Sequence, residues 1–128
     1  MSITINPAED SRPAAVVAAE RAGELWTDVV RLQRWTDPDH ADIYAIAGEL
    51  VATLTALDDL ASVLARQVSD YGKGRALYDD SRQIDPAERL AEAVKRLRSA
   101  QTAIRAAWVA ANGFWSAIGH IGVEEVPQ

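Results

Sequence analysis

Four acids stand along one stretch of the chain, Asp42, Glu49, Asp58 and Asp59. Carboxylates projected from neighbouring helices can hold a divalent ion, and a held ion can support hydrolysis at a phosphate group. The two histidines offer a second chemistry. His40 and His120, joined by Asp37, Asp39 and Asp42, form a donor set suited to zinc or another divalent ion. Each feature also has a simpler role, because acids near a helix start are favoured by its dipole and acids off an apolar stripe face water. No serine–histidine–acid set is indicated, since both histidines fall at expected helix ends. No catalytic residue and no cofactor is assigned on this basis.

Other residues suit recognition better than reaction. Trp26, Trp35, Trp108, Phe114 and Trp115 are many aromatic side chains for so short a chain. Most belong in a core. Phe114 and Trp115 are adjacent, however, and point about 100° apart on a helix, so one of them can anchor a partner. Leu77 and Tyr78 lie in the longest expected loop and are the other candidate partner contacts. Gly72-Lys73-Gly74-Arg75 lacks the spacing before the lysine, the hydroxyl residue after it and the preceding strand of a phosphate loop, and reads as a helix stop.

The elements that position these residues follow from apolar spacing. Ile43, Leu50, Leu57, Leu64 and Tyr71 recur every seven residues, with Ala47, Leu54, Ala61 and Val68 beside them. Leu90, Leu97, Ile104, Ala111 and Ile118, with Val94, Trp108 and Trp115, repeat the rule. Both are stripes of long, coiled-coil-like helices, expected over about 38–71 and 86–118. An earlier helix, about 12–35, carries Ala15, Ala18, Ala22, Leu25, Val29 and Leu32 at alternating spacing. Asp37-Pro38 and Asp85-Pro86-Ala87-Glu88 supply caps and first-turn prolines for the second and third helices. Residues 72–85 form a loop and 120–128 a loose tail. Near the start, Ile3 and Ile5 alternate with polar residues over too short a run for a strand. Asn6-Pro7-Ala8-Glu9 offers a competing helix start that Pro13 would break.

The expected fold is therefore all-α: one domain over residues 1–128, an antiparallel three-helix bundle with two long helices. The first helix is shorter than its neighbours, so the region near Tyr71 and Leu90 needs a cover. The long loop, the N-terminal segment or a second subunit must supply it, and a dimer or larger bundle formed by self-association through the alanine-rich last helix is expected.

Composition narrows the function. The chain has 128 residues, a net charge of −6 and no cysteine. The absence of cysteine removes disulfides and thiolate chemistry and suits a reducing cytoplasm. The negative charge argues against a general nucleic-acid binder. Residues 1–7 do not resemble a signal peptide. Residues 106–123 lack formal charge, but Asn112, Ser116, His120 and three glycines argue against a membrane span.

Three resemblances accompany these residues. Ala47-Gly48-Glu49-Leu50 followed by Asp58-Asp59-Leu60 resembles the MazG-type nucleotide pyrophosphohydrolases, all-helical enzymes that hold magnesium on paired carboxylates. The likeness covers about 14 residues, and the family's first E-x-x-E pair has no match. The hairpin length is similar to that of small secreted actinobacterial proteins with Trp-x-Gly at the turn, but the turn here is Trp35-Thr36-Asp37, so that signature fails. Residues 44–50, Asp85-Pro86-Ala87-Glu88-Arg89-Leu90 and residues 116–121 resemble small all-helical proteins of actinobacteria and their phages or mobile elements. That likeness carries no catalytic motif and implies a genetic neighbourhood rather than a reaction.

The function expected is a non-enzymatic protein-interaction, regulatory or accessory role, with Leu77, Tyr78, Phe114 and Trp115 as contacts and the acidic face of the second helix as a steering surface. The alternatives are a metal-dependent pyrophosphohydrolase-like enzyme using Asp42, Glu49, Asp58 and Asp59, and a nucleic-acid accessory factor using Arg96 and Arg98 on the third helix.

Overall fold

A computed structural model describes residues 11–125. The Ile3/Ile5 alternation, the Asn6-Pro7 helix start and the last three residues of the expected tail lie outside the described residues. Regular structure among the described residues is entirely helical: α1 (Ala14–Arg34), α2 (His40–Asp70) and α3 (Pro86–Ile118). The chain divides into two compact units between Asp39 and His40.

In the first unit, α1 starts two residues later than expected. Pro13 is extended, with ψ 140°, and its carbonyl accepts from the N–H groups of Val16 and Val17 at 3.0 and 3.3 Å. The helix surface is laced by Arg12–Glu20 and Arg21–Glu24 ion pairs at 2.6 and 2.7 Å. None of the residues of α1 is buried. Leu25, Trp26 and Val29 are half-buried, whereas Trp35, expected in a core, is 85% exposed.

In the second unit, α3 begins where its local chemistry directs. The Asp85 carboxylate accepts from the Ala87 N–H at 2.9 Å, Pro86 occupies the first turn, and Glu88 complements the dipole. The helix runs unbroken through Gly113 to Ile118. α2 begins at His40 rather than Pro38 and ends at Asp70, followed by a turn over residues 71–74. Gly74 takes the left-handed φ of +72° that this reversal needs and that side chains resist.

α2 packs against α3. Partners descend along α2 as they ascend along α3. Leu90 lies at Gly72, Gln101 at Ser62 and Asp58, Arg105 at Asp58, Trp108 at Thr55, Trp115 at Gly48, and Gly119 at Tyr44. The α3 side uses the expected seam, Leu90, Val94, Leu97, Ile104, Ala111, Trp115 and Ile118, with buried Gln101 inserted in it.

The α2 side differs from expectation. Ala47, Leu54, Ala61 and Val68 do lie toward α3, but their companions are Tyr44, Val51, Asp58, Ala65 and Gly72, not the leucine line. The fully buried apolar positions are small: Ala47, Val51, Ala61 and Ala65, the last with 0% exposure. Small residues let the two backbones approach, and close approach buries more of each side chain. Leu50, Leu57 and Leu64 are displaced to the flank and stay 38–41% exposed. Asp58, expected on a solvated face, sits in the seam.

Candidate functional site

Three regions carry the polar and aromatic residues of interest. The first is a polar inlay in the α2–α3 seam. The Gln101 carboxamide nitrogen donates to the Asp58 carboxylate at 2.7 Å, the Asp58 carbonyl at 3.1 Å and the Ser62 hydroxyl at 2.7 Å. Its carbonyl oxygen accepts from Arg98 at 3.0 Å. Arg105 donates to both Asp58 oxygens at 3.0 and 3.2 Å, and the Trp108 indole donates to the Thr55 hydroxyl at 3.0 Å. Leu54, Thr55, Asp58, Arg105, Trp108 and Val109 line an open groove of about 320 Å³ along this edge. Gln101 is the buried member of this set, and its bonds to Asp58 and Ser62 favour one register of one helix on the other.

The second region is the loop between α2 and α3. Asp79 is only 7% exposed. Its carboxylate accepts from the Ser81 hydroxyl, from the Ser81 N–H at 3.0 Å and from Arg89 Nε at 2.7 Å. The Ser81 hydroxyl bond, then the Arg89 guanidinium, hold the Asp79 pKa below its ordinary value of 3.8, against a smaller opposing effect of burial. Arg82 adopts φ 57° and stacks over Tyr78 at 4.3 Å, as Arg75 does over Tyr71. Leu77 folds inward, half-buried, while Tyr78 is mostly exposed, so the two expected contact residues separate in role. With Tyr71, Arg89 and Leu90 they border a groove of about 400 Å³.

The third region is the helix end near Tyr44. Trp115 packs over Gly48 and against Tyr44, with ring centroids 5.7 Å apart. Its indole nitrogen is buried and has no hydrogen-bond partner. Trp115 is therefore a packing residue, and Phe114, 49% exposed, is the one of the adjacent pair left open. His40 and Gly119 border a shallow groove of about 280 Å³, and His120 is exposed.

The metal-binding arrangements do not assemble. Among the described residues no group of three or more histidine, cysteine or acidic side chains that could hold a metal ion is found; of the candidates, Asp37 and Asp39 belong to the first unit and His40 and His120 to the second. Asp42, Glu49, Asp58 and Asp59 are likewise not a ligand set, and Asp58 is already engaged by Gln101 and Arg105. On α3, Arg96 lies 3.7 Å from Glu92 and Arg98 binds Gln101, so the cations proposed for nucleic acid have partners within the helix.

The flank opposite the polar inlay is where the structure departs from the apolar spacing. Thr55, Ser62 and Arg105 mark one edge of the seam, so the other edge belongs to Leu50, Leu57 and Leu64 on α2 and Ala93, Ala100 and Ala107 on α3. Leu60 at 46%, Tyr71 at 50% and Phe114 extend this edge, which is open, uncharged on α2 and interrupted on α3 by Arg89 and Arg96. Its α2 side is the sevenfold line Leu50, Leu57, Leu64 and Tyr71 itself, with Ile46, Thr53, Leu60 and Gln67 beside it, which the spacing assigns to the core and the structure turns to the flank.

No helix among the described residues is long and apolar enough to cross a membrane. No protein-family model, curated protein or solved structure matches the chain.

Proposed function

We propose that the protein is a non-enzymatic interaction module, an accessory or regulatory factor of a phage or mobile element acting in the cytoplasm, and that the leucine edge of the α2–α3 pair is its working surface. One observation carries this reading. α2 bears two complete heptad lines; one meets α3, while the other stays open from Leu50 to Tyr71. Exposed apolar surface of that extent marks an interaction site, because leaving it in water forfeits about 25 cal/mol per Å². The polar residues support the same reading, since Asp58, Gln101, Asp79 and Arg89 are occupied with holding the fold.

Within this reading the fold is an antiparallel bundle that needs a further helix against the leucine edge. α1 as the third helix of a bundle is one source. Phe114 and Tyr78 are the exposed aromatics best placed to anchor a partner.

The test compares the wild-type chain with Leu57→Glu as immobilised baits in extract of the native host. The reading expects a protein retained by the wild type and lost by the variant. Identical retention by both baits overturns it.

A further inference from the structure

We infer that the leucine edge is covered by a second copy of this chain, with the leucine line of each α2 seated on the alanine line of the other copy's α3. This rests on the interaction reading above and names the partner. Three features of the surface point to a second copy. The first is shape. The same edge carries a bulky line on α2, Leu50, Leu57 and Leu64, and a small line on α3, Ala93, Ala100 and Ala107. A two-fold axis parallel to the helices sets bulky against small twice and makes every neighbouring helix pair run in opposite directions. The surface is thus complementary to itself, as an isologous interface must be. Alanine lets a second helix approach closely, and leucine fills the space between successive alanines.

The second feature is length. The exposed stripe from Leu50 to Tyr71 spans about 32 Å, and the 33 residues of a partner α3 span about 50 Å, enough to cover it end to end.

The third is area. The half-exposed leucines, Tyr71, Phe114 and the alanine line leave roughly 500 Å² of apolar surface on one copy. A standard interface buries about 800 Å² per partner with an apolar share near 65% in homodimers, which is again about 500 Å². Charge is compatible. From Leu50 to Tyr71 the leucine line of α2 carries no formal charge, and Arg96, which falls between Ala93 and Ala100 on α3, is 79% exposed and lies 3.7 Å from Glu92, so its charge stays at the rim of the edge.

The test uses the absence of native cysteine. Leu57→Cys and Ala107→Cys are made in separate chains and oxidised alone and mixed. Cross-linked dimer is expected from the mixture and not from either variant alone. Cross-linking of Leu57→Cys with itself overturns this pairing, because it sets leucine against leucine. Failure of the mixture to cross-link also overturns it. Light scattering on the full wild-type chain provides a second reading, with a mass twice 13.9 kDa expected. Leu57→Glu combined with Leu64→Glu should halve that mass with helical circular dichroism retained, and Val109→Glu on the opposite edge should leave it unchanged. A wild-type monomer at about 100 μM overturns the second copy as occupant. The wider interaction reading falls separately, on the unchanged retention by the Leu57→Glu bait.

Discussion

The Gln101 side chain of α3 donates to the Asp58 carboxylate of α2 at 2.7 Å, from a position only 4% exposed. This pair sits midway along two helices whose other buried contacts are mainly alanine and valine, which slide past one another with little penalty. Hydrogen bonds have one correct register. Asp58 is further fixed by Arg105, and Gln101 by Ser62 and Arg98, so a shift of one heptad step would leave the buried Gln101 amide without its α2 partners and the half-buried Asp58 without Gln101 and Arg105.

Gln101→Ala should therefore destabilise the fold by about 2–3 kcal/mol, combining a cavity with the loss of the amide from Asp58 and Ser62. Gln101→Leu should cost less, because an apolar side chain refills the space, but it should loosen register. Urea unfolding gives the first quantity. Broadened amide resonances near Asp58 and Ser62 report the second.

Two glycines of the α2–α3 unit should respond oppositely to alanine. A Cβ at Gly48 would stand 3.2 Å from the Trp115 ring, a rigid group that cannot swing aside, so Gly48→Ala should cost about 1–3 kcal/mol. A Cβ at Gly113 meets nothing within 4 Å inside a continuous helix, so Gly113→Ala should add about 0.5–1 kcal/mol. Thermal melts of the two single variants decide the signs.

Asp79 makes the loop sensitive to acid. Its pKa is depressed in the folded chain, so its stabilising contribution is fully present above the ordinary value of 3.8 and is lost as pH falls through the lower, folded value. The stability difference between wild type and Asp79→Asn should be constant near neutrality and close below about pH 4. Unfolding midpoints measured from pH 7 to pH 2.5 test this. A gap that persists to the lowest pH contradicts the Ser81–Asp79–Arg89 arrangement as its source.

The parts of the fold legible in sequence are those set by local chemistry. Asp85-Pro86-Ala87-Glu88 placed the start of α3 because the cap and the proline act within one turn, and Leu90, Val94, Leu97 and Ile104 gave its packing face. The face of α2 was misread because leucines outweigh alanines in any apolar pattern, while close helix packing rewards the smaller residue. Ala61 and Ala65 are buried, whereas Leu57, Leu60 and Leu64 remain partly in water. Asp58 reads in sequence as a solvated acid because nothing local announces a partner 43 residues away. Trp115 and Phe114 are adjacent, and packing against Gly48 and Tyr44 separates the half-buried ring from the exposed one.

Sedimentation equilibrium on the full chain tests the role of the leucine edge most directly, with Leu57→Glu run beside the wild type. The open edge predicts a wild-type mass of twice 13.9 kDa that falls to the single-chain value in the variant. A wild type that remains a single chain up to about 100 μM, or a variant that remains paired, contradicts it.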